Sequence, residues 1–312
     1  MNAILFALIA ASCASLSNLF FRKCSSNNSA AYQFLFHYYL VSFICSFLIR
    51  PDLILNSWDG NILLIGCGAG ILNVIMMTIT SRALQHTSAG ITFTFQNASS
   101  VFPNILLFLL LGSSFGFIVT SHQVVGTVLI LIGLFAGLLS NKSAKSNSTK
   151  WRRYVFGCCF VQILILCIFQ SRFLITGNSA SDAADVWFMV GFFGMALIFQ
   201  TFVLLNQRRL KQKNYIEGQA SVATPVNTFL SKGSKIIFGA LSGIGNAAST
   251  YFLLQATQVA TPLERGLIFP LFSIAVIILC NLWGYWLYEE RPKVASLALC
   301  SLGIFVASIS AA

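Results

Sequence analysis

GCGAGILNVIMMTITSRALQHTSA, residues 66–89, returns later in the chain as GALSGIGNAASTYFLLQATQVATP, residues 239–262. At a shift of 173 the two stretches share six of 24 positions: Gly66 with Gly239, Gly70 with Gly243, Ile71 with Ile244, Asn73 with Asn246, Ala83 with Ala256 and Gln85 with Gln258. Composition alone gives far fewer matches, so the chain carries an internal repeat. What that repeat means depends on how many hydrophobic runs each copy contains.

The 312 residues are 57% hydrophobic and 9% charged, with a mean hydropathy of +0.81. A soluble domain carries about 25% charged residues, so too few charges remain here to cover a water-facing surface. Ten apolar runs lie near 2–21, 30–49, 61–81, 88–111, 123–140, 154–175, 184–205, 236–255, 263–287 and 294–310. Each is long enough to cross a hydrocarbon core of roughly 30 Å as a helix. Helices are required because backbone polar groups find no water there. The alternating ten-residue segments of a membrane β-barrel are absent.

Five runs precede the polar stretch Asn141–Arg153 and five follow it. An odd number of spans per half turns the second half upside down, and inverted halves enclose a site near the membrane midplane. The expected fold is therefore an all-α membrane protein of ten transmembrane helices, two inverted five-helix repeats around a central cavity. Residues 1–140 form the first repeat, 141–153 a basic cytoplasmic linker and 154–312 the second repeat.

The odd-numbered loops hold 16 Lys and Arg, against three on the other side (Arg50, Arg172 and Arg265). That bias puts loops 5–6 and 7–8 in the cytoplasm and both termini outside. It also accounts for the net charge of +11 as topology, so no nucleic-acid partner is expected. The start, MNAILFALIAASCAS, lacks a basic lead and continues apolar to Phe21, which reads as a retained first span. Eight of the nine cysteines fall within spans and only Cys24 in a loop; without a CxxC pair they read as buried free thiols.

Two units of similar design resemble the drug/metabolite transporter superfamily, EamA-like type: SRALQHTSAGITFTFQNASSVFP, from Ser81, and LLQATQVATPLERGLIFPLFSIAVIILCNLWGYWLYEERP, from Leu253. The second ends in Glu289-Glu290-Arg291, similar to the acidic-basic pair that often follows the ninth helix of that family. The closing LALCSLGIFVAS is similar to the family's glycine-centred last helix. The first half departs from the pattern, with LGSSFGFIVTSHQ where an acidic-basic pair would stand. A second departure is orientation, since family members tend to keep both termini cytoplasmic. The resemblance implies that helices 1, 3, 4, 6, 8 and 9 surround the cavity. It also implies a cargo of amino acids, nucleotides, their derivatives or drugs, S-adenosylmethionine among them in host-dependent bacteria.

Polar residues inside the spans are the candidates for the cavity wall. In helix four Phe93, Asn97, Ser100 and Asn104 share one face, with Thr92, Gln96, Ser99 and Pro103 on the adjoining stripe. They either line a wet cavity or bond neighbouring helices, the latter at about 0.6 kcal/mol each. Pro103, and Pro270 in helix nine, are the candidate hinges. Asn73 and Asn246 either face one another across the pseudo-twofold axis or cap a neighbour. Glu264 and Arg265 at the entrance of helix nine, with Phe269, either meet an anionic group or form an interfacial pair. Asn18, Gln170 and Tyr251 are further cavity candidates. Arg172 is expected to snorkel to the surface, and the tyrosines of helix two, Tyr32, Tyr38 and Tyr39, to form an interfacial belt.

Three histidines (His37, His86, His122) lie far apart, and no HExxH, GxSxG or Walker sequence is present, so no enzyme chemistry, cofactor or metal is expected. Helix one carries no carboxylate, which argues against proton-driven export of cationic drugs. The expected function is a secondary transporter for a small polar or amphipathic metabolite, an amino acid or a derivative such as S-adenosylmethionine. A nucleotide-sugar, phosphate or drug carrier of the same superfamily, or a non-transporting scaffold subunit, is the alternative. The expected setting is the inner (plasma) membrane of a bacterium, as a monomer or weak homodimer whose partners are a small-molecule substrate and the lipid bilayer.

Overall fold

A computed structural model describes residues 3–25, 28–56, 58–112, 119–140, 148–175, 182–216, 232–260, 262–290 and 294–309. All regular structure among them is helical. The helices are α1 (Ala3–Cys24), α2 (Asn28–Leu48), the short α3 (Pro51–Asn56), α4 (Gly60–Leu84), α5 (Ala89–Ala98) and α6 (Phe102–Leu111). They continue with α7 (Ser121–Ser140), α8 (Ser148–Ile175), α9 (Asp182–Ile216), α10 (Lys232–Val259), α11 (Pro262–Tyr288) and α12 (Val294–Ile309). A 3-10 turn, Ser99–Val101, joins α5 to α6.

Local chemistry sets the ends. Asp59 starts α4 by accepting the Ile62 amide at 3.0 Å, and Ser88 starts α5 by accepting the Ile91 amide at 3.4 Å. Between them the His86 and Thr87 amides close back on the Ala83 carbonyl, making a tight α4–α5 hairpin. Gly112 ends α6 with φ at 79°, a backbone conformation that glycine adopts without penalty. Helix α8 starts at Ser148, within the polar stretch Asn141–Arg153.

Among the described residues, eight helices are long and apolar enough to cross a membrane, against ten expected. The other two apolar segments, Ser121–Ala136 and Val294–Ser308, are shorter and belong to α7 and α12, which pack on each other. Gly126 lies against the Gly303 backbone, and Ser296 donates to the Gly133 carbonyl at 2.7 Å. Large apolar side chains such as Leu48, Leu109, Phe135, Ile198, Phe202 and Phe305 point outward. Only lipid solvates such a surface favourably, and the protein is an integral, multi-pass membrane protein.

The helices do not pack half against half. Helices α1, α2, α10 and α11 form one group, and α4, α5, α8 and α9 another, so each group mixes the two halves. Glycines make this possible. Gly66 and Gly70 rest on the Phe188 and Phe192 carbonyls of α9. Gly239 and Gly243 rest on the Phe34 and Tyr38 carbonyls of α2, where an added Cβ would stand 3.0 and 2.6 Å from oxygen. These are the glycines that the repeat aligns, one GxxxG contact in each half.

Within the first group α1 and α10 run antiparallel. Phe20 stacks on Phe238 and Phe6 on Phe252, while the Ser17 and Ser242 hydroxyls meet at 2.7 Å between them. The tyrosines of α2 correct the expectation of an interfacial belt. Tyr32, Tyr38 and Tyr39 are 5%, 3% and 0% exposed, buried because α2 sits between α9 and α10. Cys24 is likewise buried as the last residue of α1 rather than in a loop, and all nine cysteines are free thiols.

Gly70→Val will force a branched side chain into the α9 backbone and cost about 1–3 kcal/mol by overpacking. Gly68→Ala, whose added carbon meets nothing within 4 Å, will stay within about 0.5 kcal/mol of the parent. Thermal unfolding of the two variants in detergent, compared with the parent, checks the contrast.

Candidate substrate cavity and its two polar ends

Every residue of α5 is buried, because α5 lies between α8 and α11. Helix propensity does not ask for so polar a buried segment, and most of its groups find local partners. The Thr92 hydroxyl donates to the Ser88 carbonyl at 3.0 Å and Asn97 Nδ2 to the Phe93 carbonyl at 2.9 Å. Thr94 Oγ1 accepts from Asn281 Nδ2 of α11 at 3.3 Å, where Gly90 leaves room for the Asn281 side chain.

Two groups have no such partner. Gln96 donates weakly to the Met76 sulfur at 3.5 Å, and its Oε1 is buried without a hydrogen bond. One turn on, the Ser100 hydroxyl is also buried and unbonded. On α10, Asn246 Nδ2 shares this condition. Orphaned buried polar atoms are costly. They are where a bound solute or water would be stabilised most.

The other candidates are spread out. The 3-10 turn at Ser99–Val101 advances about 20° more per residue than an α-helix. Beyond it Asn104 donates to Gln123 Oε1 of α7 at 3.2 Å. Pro103 is buried directly after that turn, at the start of α6, whereas Pro270 sits inside an unbroken α11 beside the buried Phe269. Asn73 bonds the Tyr39 hydroxyl at 3.3 Å, and Asn18 Nδ2 the Cys280 sulfur at 3.7 Å. Tyr251 packs edge-on to Phe252, and Gln170 is half-buried on α8. Glu264 and Arg265 belong to the first turn of α11, and their side chains lie outside the described residues.

Among the described residues, two clusters of charged side chains at the helix ends bring together groups far apart in the sequence. At the end where α1 and α4 finish, Arg22 pairs with Glu290 at 2.9 Å and donates to the Leu84 carbonyl at 2.5 Å. The other carboxylate oxygen of Glu290 accepts the Ala89 amide at 2.7 Å, at the N-terminus of α5. Tyr288 donates to the Leu19 carbonyl at 3.2 Å and lies beneath the Arg22 guanidinium.

At the end where α8 and α10 finish, Arg172 pairs with Asp185 at 3.1 Å and donates to Thr257 Oγ1 at 3.0 Å. Gln258 Nε2 donates to Asp185 at 2.7 Å. Arg172 is 3% exposed, so the snorkelling expectation fails. Asp185, one turn into α9, offers a nearer partner than water. Because α1 and α10 are antiparallel, the two clusters stand at opposite ends of the bundle. Outside the second, Arg50 bridges Asp182 and Asp52 at the surface.

Two small cavities adjoin the Arg22–Glu290 cluster. A cavity of about 10 Å³ lies among Ser15, Asn18, Arg22, Phe93, Trp283 and Tyr288, and another of about 10 Å³ beside Thr94, Asn281 and Glu290. Each has room for about one water. An ion pair thus ties helices together at each end of the bundle.

Residues 1–139 match the model of the EamA-like transporter family. A crystal structure, described only as that of a protein, aligns over 99% of this chain and 97% of its own, with a TM-score of 0.61 and 13% identity. At that identity the likeness speaks for the fold, and it runs the whole length of the chain. No curated protein matches the sequence. The first 139 residues are thus similar to the EamA-like transporter family, and the likeness in fold extends over the rest of the chain.

Proposed function

We propose that the protein is a secondary carrier working by alternating access, built as two inverted five-helix halves with ten membrane crossings. One observation carries this reading: the packing is unchanged in kind when the halves are exchanged. Helix α1 lies on α10 and α11, as α8 lies on α4 and α5. The contact of α2 with α10 matches that of α9 with α4, and α7 pairs with α12. An arrangement that looks the same from either side of the membrane is the basis of alternating access.

The cargo we propose is a small polar or amphipathic metabolite, an amino acid or a derivative such as S-adenosylmethionine. The orphaned atoms, Gln96 Oε1, the Ser100 hydroxyl and Asn246 Nδ2, offer both acceptors and a donor and carry no net charge. A neutral or zwitterionic solute suits that set. A nucleotide sugar or phosphate would call for more intramembrane cations. The positive-inside bias supports a cytoplasmic position for the cationic loops 5–6 and 7–8, and the membrane we propose is a bacterial inner membrane.

Uptake into proteoliposomes will be tested with labelled amino acids, S-adenosylmethionine, a nucleotide sugar and a cationic drug. The expected result is uptake of a member of the first two classes, reduced about tenfold or more by Gln96→Ala, the loss of one well-placed buried hydrogen bond. Asn104→Ala, which removes the bond to Gln123 of α7, will change uptake less than threefold, about 0.6 kcal/mol. Normal uptake by a folded Gln96→Ala protein would remove that residue from the site, and accumulation of the nucleotide sugar alone would replace the proposed cargo.

Orientation has its own measurement. In intact cells a single cysteine placed at Ser143, in loop 5–6, will resist an impermeant thiol reagent until the membrane is permeabilised. Labelling in intact cells would reverse the topology.

A further inference from the structure

We propose that Arg22–Glu290 and Arg172–Asp185 are the two gates of this carrier, and that Asp185 supplies in the second gate the acid that the first half of the chain lacks. The inference rests on the carrier reading above and adds the residues that close each face.

Repeat equivalence points to the pair of arginines. Arg22 stands two residues before the end of α1, and Arg172 three before the end of α8, the first helix of the second half. Their other partners also match: Leu84 and Thr257 are 173 residues apart, the shift that aligns the repeat. Each arginine therefore leaves its own helix group and grips the end of the third helix of a half, which belongs to the opposite group. The Arg22 clasp ties α1 and α11 to the α4–α5 hairpin. The Arg172 clasp ties α8 and α9 to the end of α10.

The acids are where the halves differ. Glu290 follows α11, and the corresponding run after α6, Gly112–Thr120, contains no acid. Asp185 lies three residues before Phe188, which packs against Gly66 as Phe34 packs against Gly239. Its counterpart in the first half is therefore Ala31, an apolar residue. Each clasp thus has one arginine and one carboxylate, although the carboxylates come from unrelated positions. The missing acid of the first half did not leave a bare arginine at the second gate.

In a carrier one face opens while the other stays shut, so breaking one clasp must open one end alone. Ser15 lies on α1 two turns inside Arg22, and Ile165 lies on α8 two turns inside Arg172; both are buried. Ser15→Cys and Ile165→Cys therefore report on the two ends. The full-length protein in liposomes is exposed to a charged, impermeant thiol reagent in both aqueous compartments, and each site is read by peptide mass spectrometry.

Glu290→Gln will raise labelling of Ser15→Cys about tenfold, equivalent to ~1.4 kcal/mol, and leave Ile165→Cys unchanged. Asp185→Asn will do the reverse. Should Asp185→Asn prove unfolded, Thr257→Val keeps the ion pair and removes one bond to Arg172, raising Ile165→Cys alone by about threefold. Reporters that rise together in the folded variants, or do not rise, overturn the gates. Solute uptake with such non-selective labelling refutes the gates and leaves the carrier. Selective labelling with no solute transported refutes the proposed cargo and leaves the gates.

Discussion

The backbone of α4 lies directly on the backbone of α9 because Gly66 and Gly70 have no side chains to hold them apart, and α10 lies on α2 through Gly239 and Gly243 in the same way. In lipid, apolar side chains gain little by choosing one another over acyl chains, so close backbone approach supplies much of the preference for a particular neighbour. These contacts commit the third helix of each half to the second helix of the other. Once that exchange is fixed, α1 must follow α10 and α8 must follow α4, and the polar α5 is enclosed rather than turned to lipid. The burial of Gln96 and Ser100 follows from four glycines that lie elsewhere in the sequence.

This is also why the helical membrane character and the contact glycines were legible before the structure. Hydrophobic length marks a membrane helix without any knowledge of its neighbours, and GxxxG spacing survives as identity because no other residue fits a backbone contact. The six matching positions of the repeat include the two contact glycines of each half. Side-chain partners were less legible, because they depend on which helix stands opposite. Arg172 read as snorkelling since its counter-charge lies beyond a loop, on α9. Tyr39 read as interfacial although α9 and α10 cover it. The equivalence of Arg22 and Arg172 was hidden for another reason: the first helices of the halves align at a shift of 150, not the 173 that aligns the third helices.

The two charge clusters differ in burial, and the difference bears on why they exist. Side-chain exposure is 25% and 14% for Arg22 and Glu290, against 3% and 4% for Arg172 and Asp185. Taking an ion pair out of water costs about as much as the pair returns, and apolar residues of similar size would hold α8, α9 and α10 together at least as firmly. Stability alone therefore gives no reason to place Arg172 and Asp185 there. A pair that is dry in one arrangement and wet in another is different: its two states lie close in free energy, because water replaces what the partner gave. Apolar contacts would be lost to water outright on opening. On the proposed carrier reading, charges at the helix ends keep closed and open arrangements within reach of each other, a requirement for a carrier that must release each face in turn and not for a scaffold that stays shut.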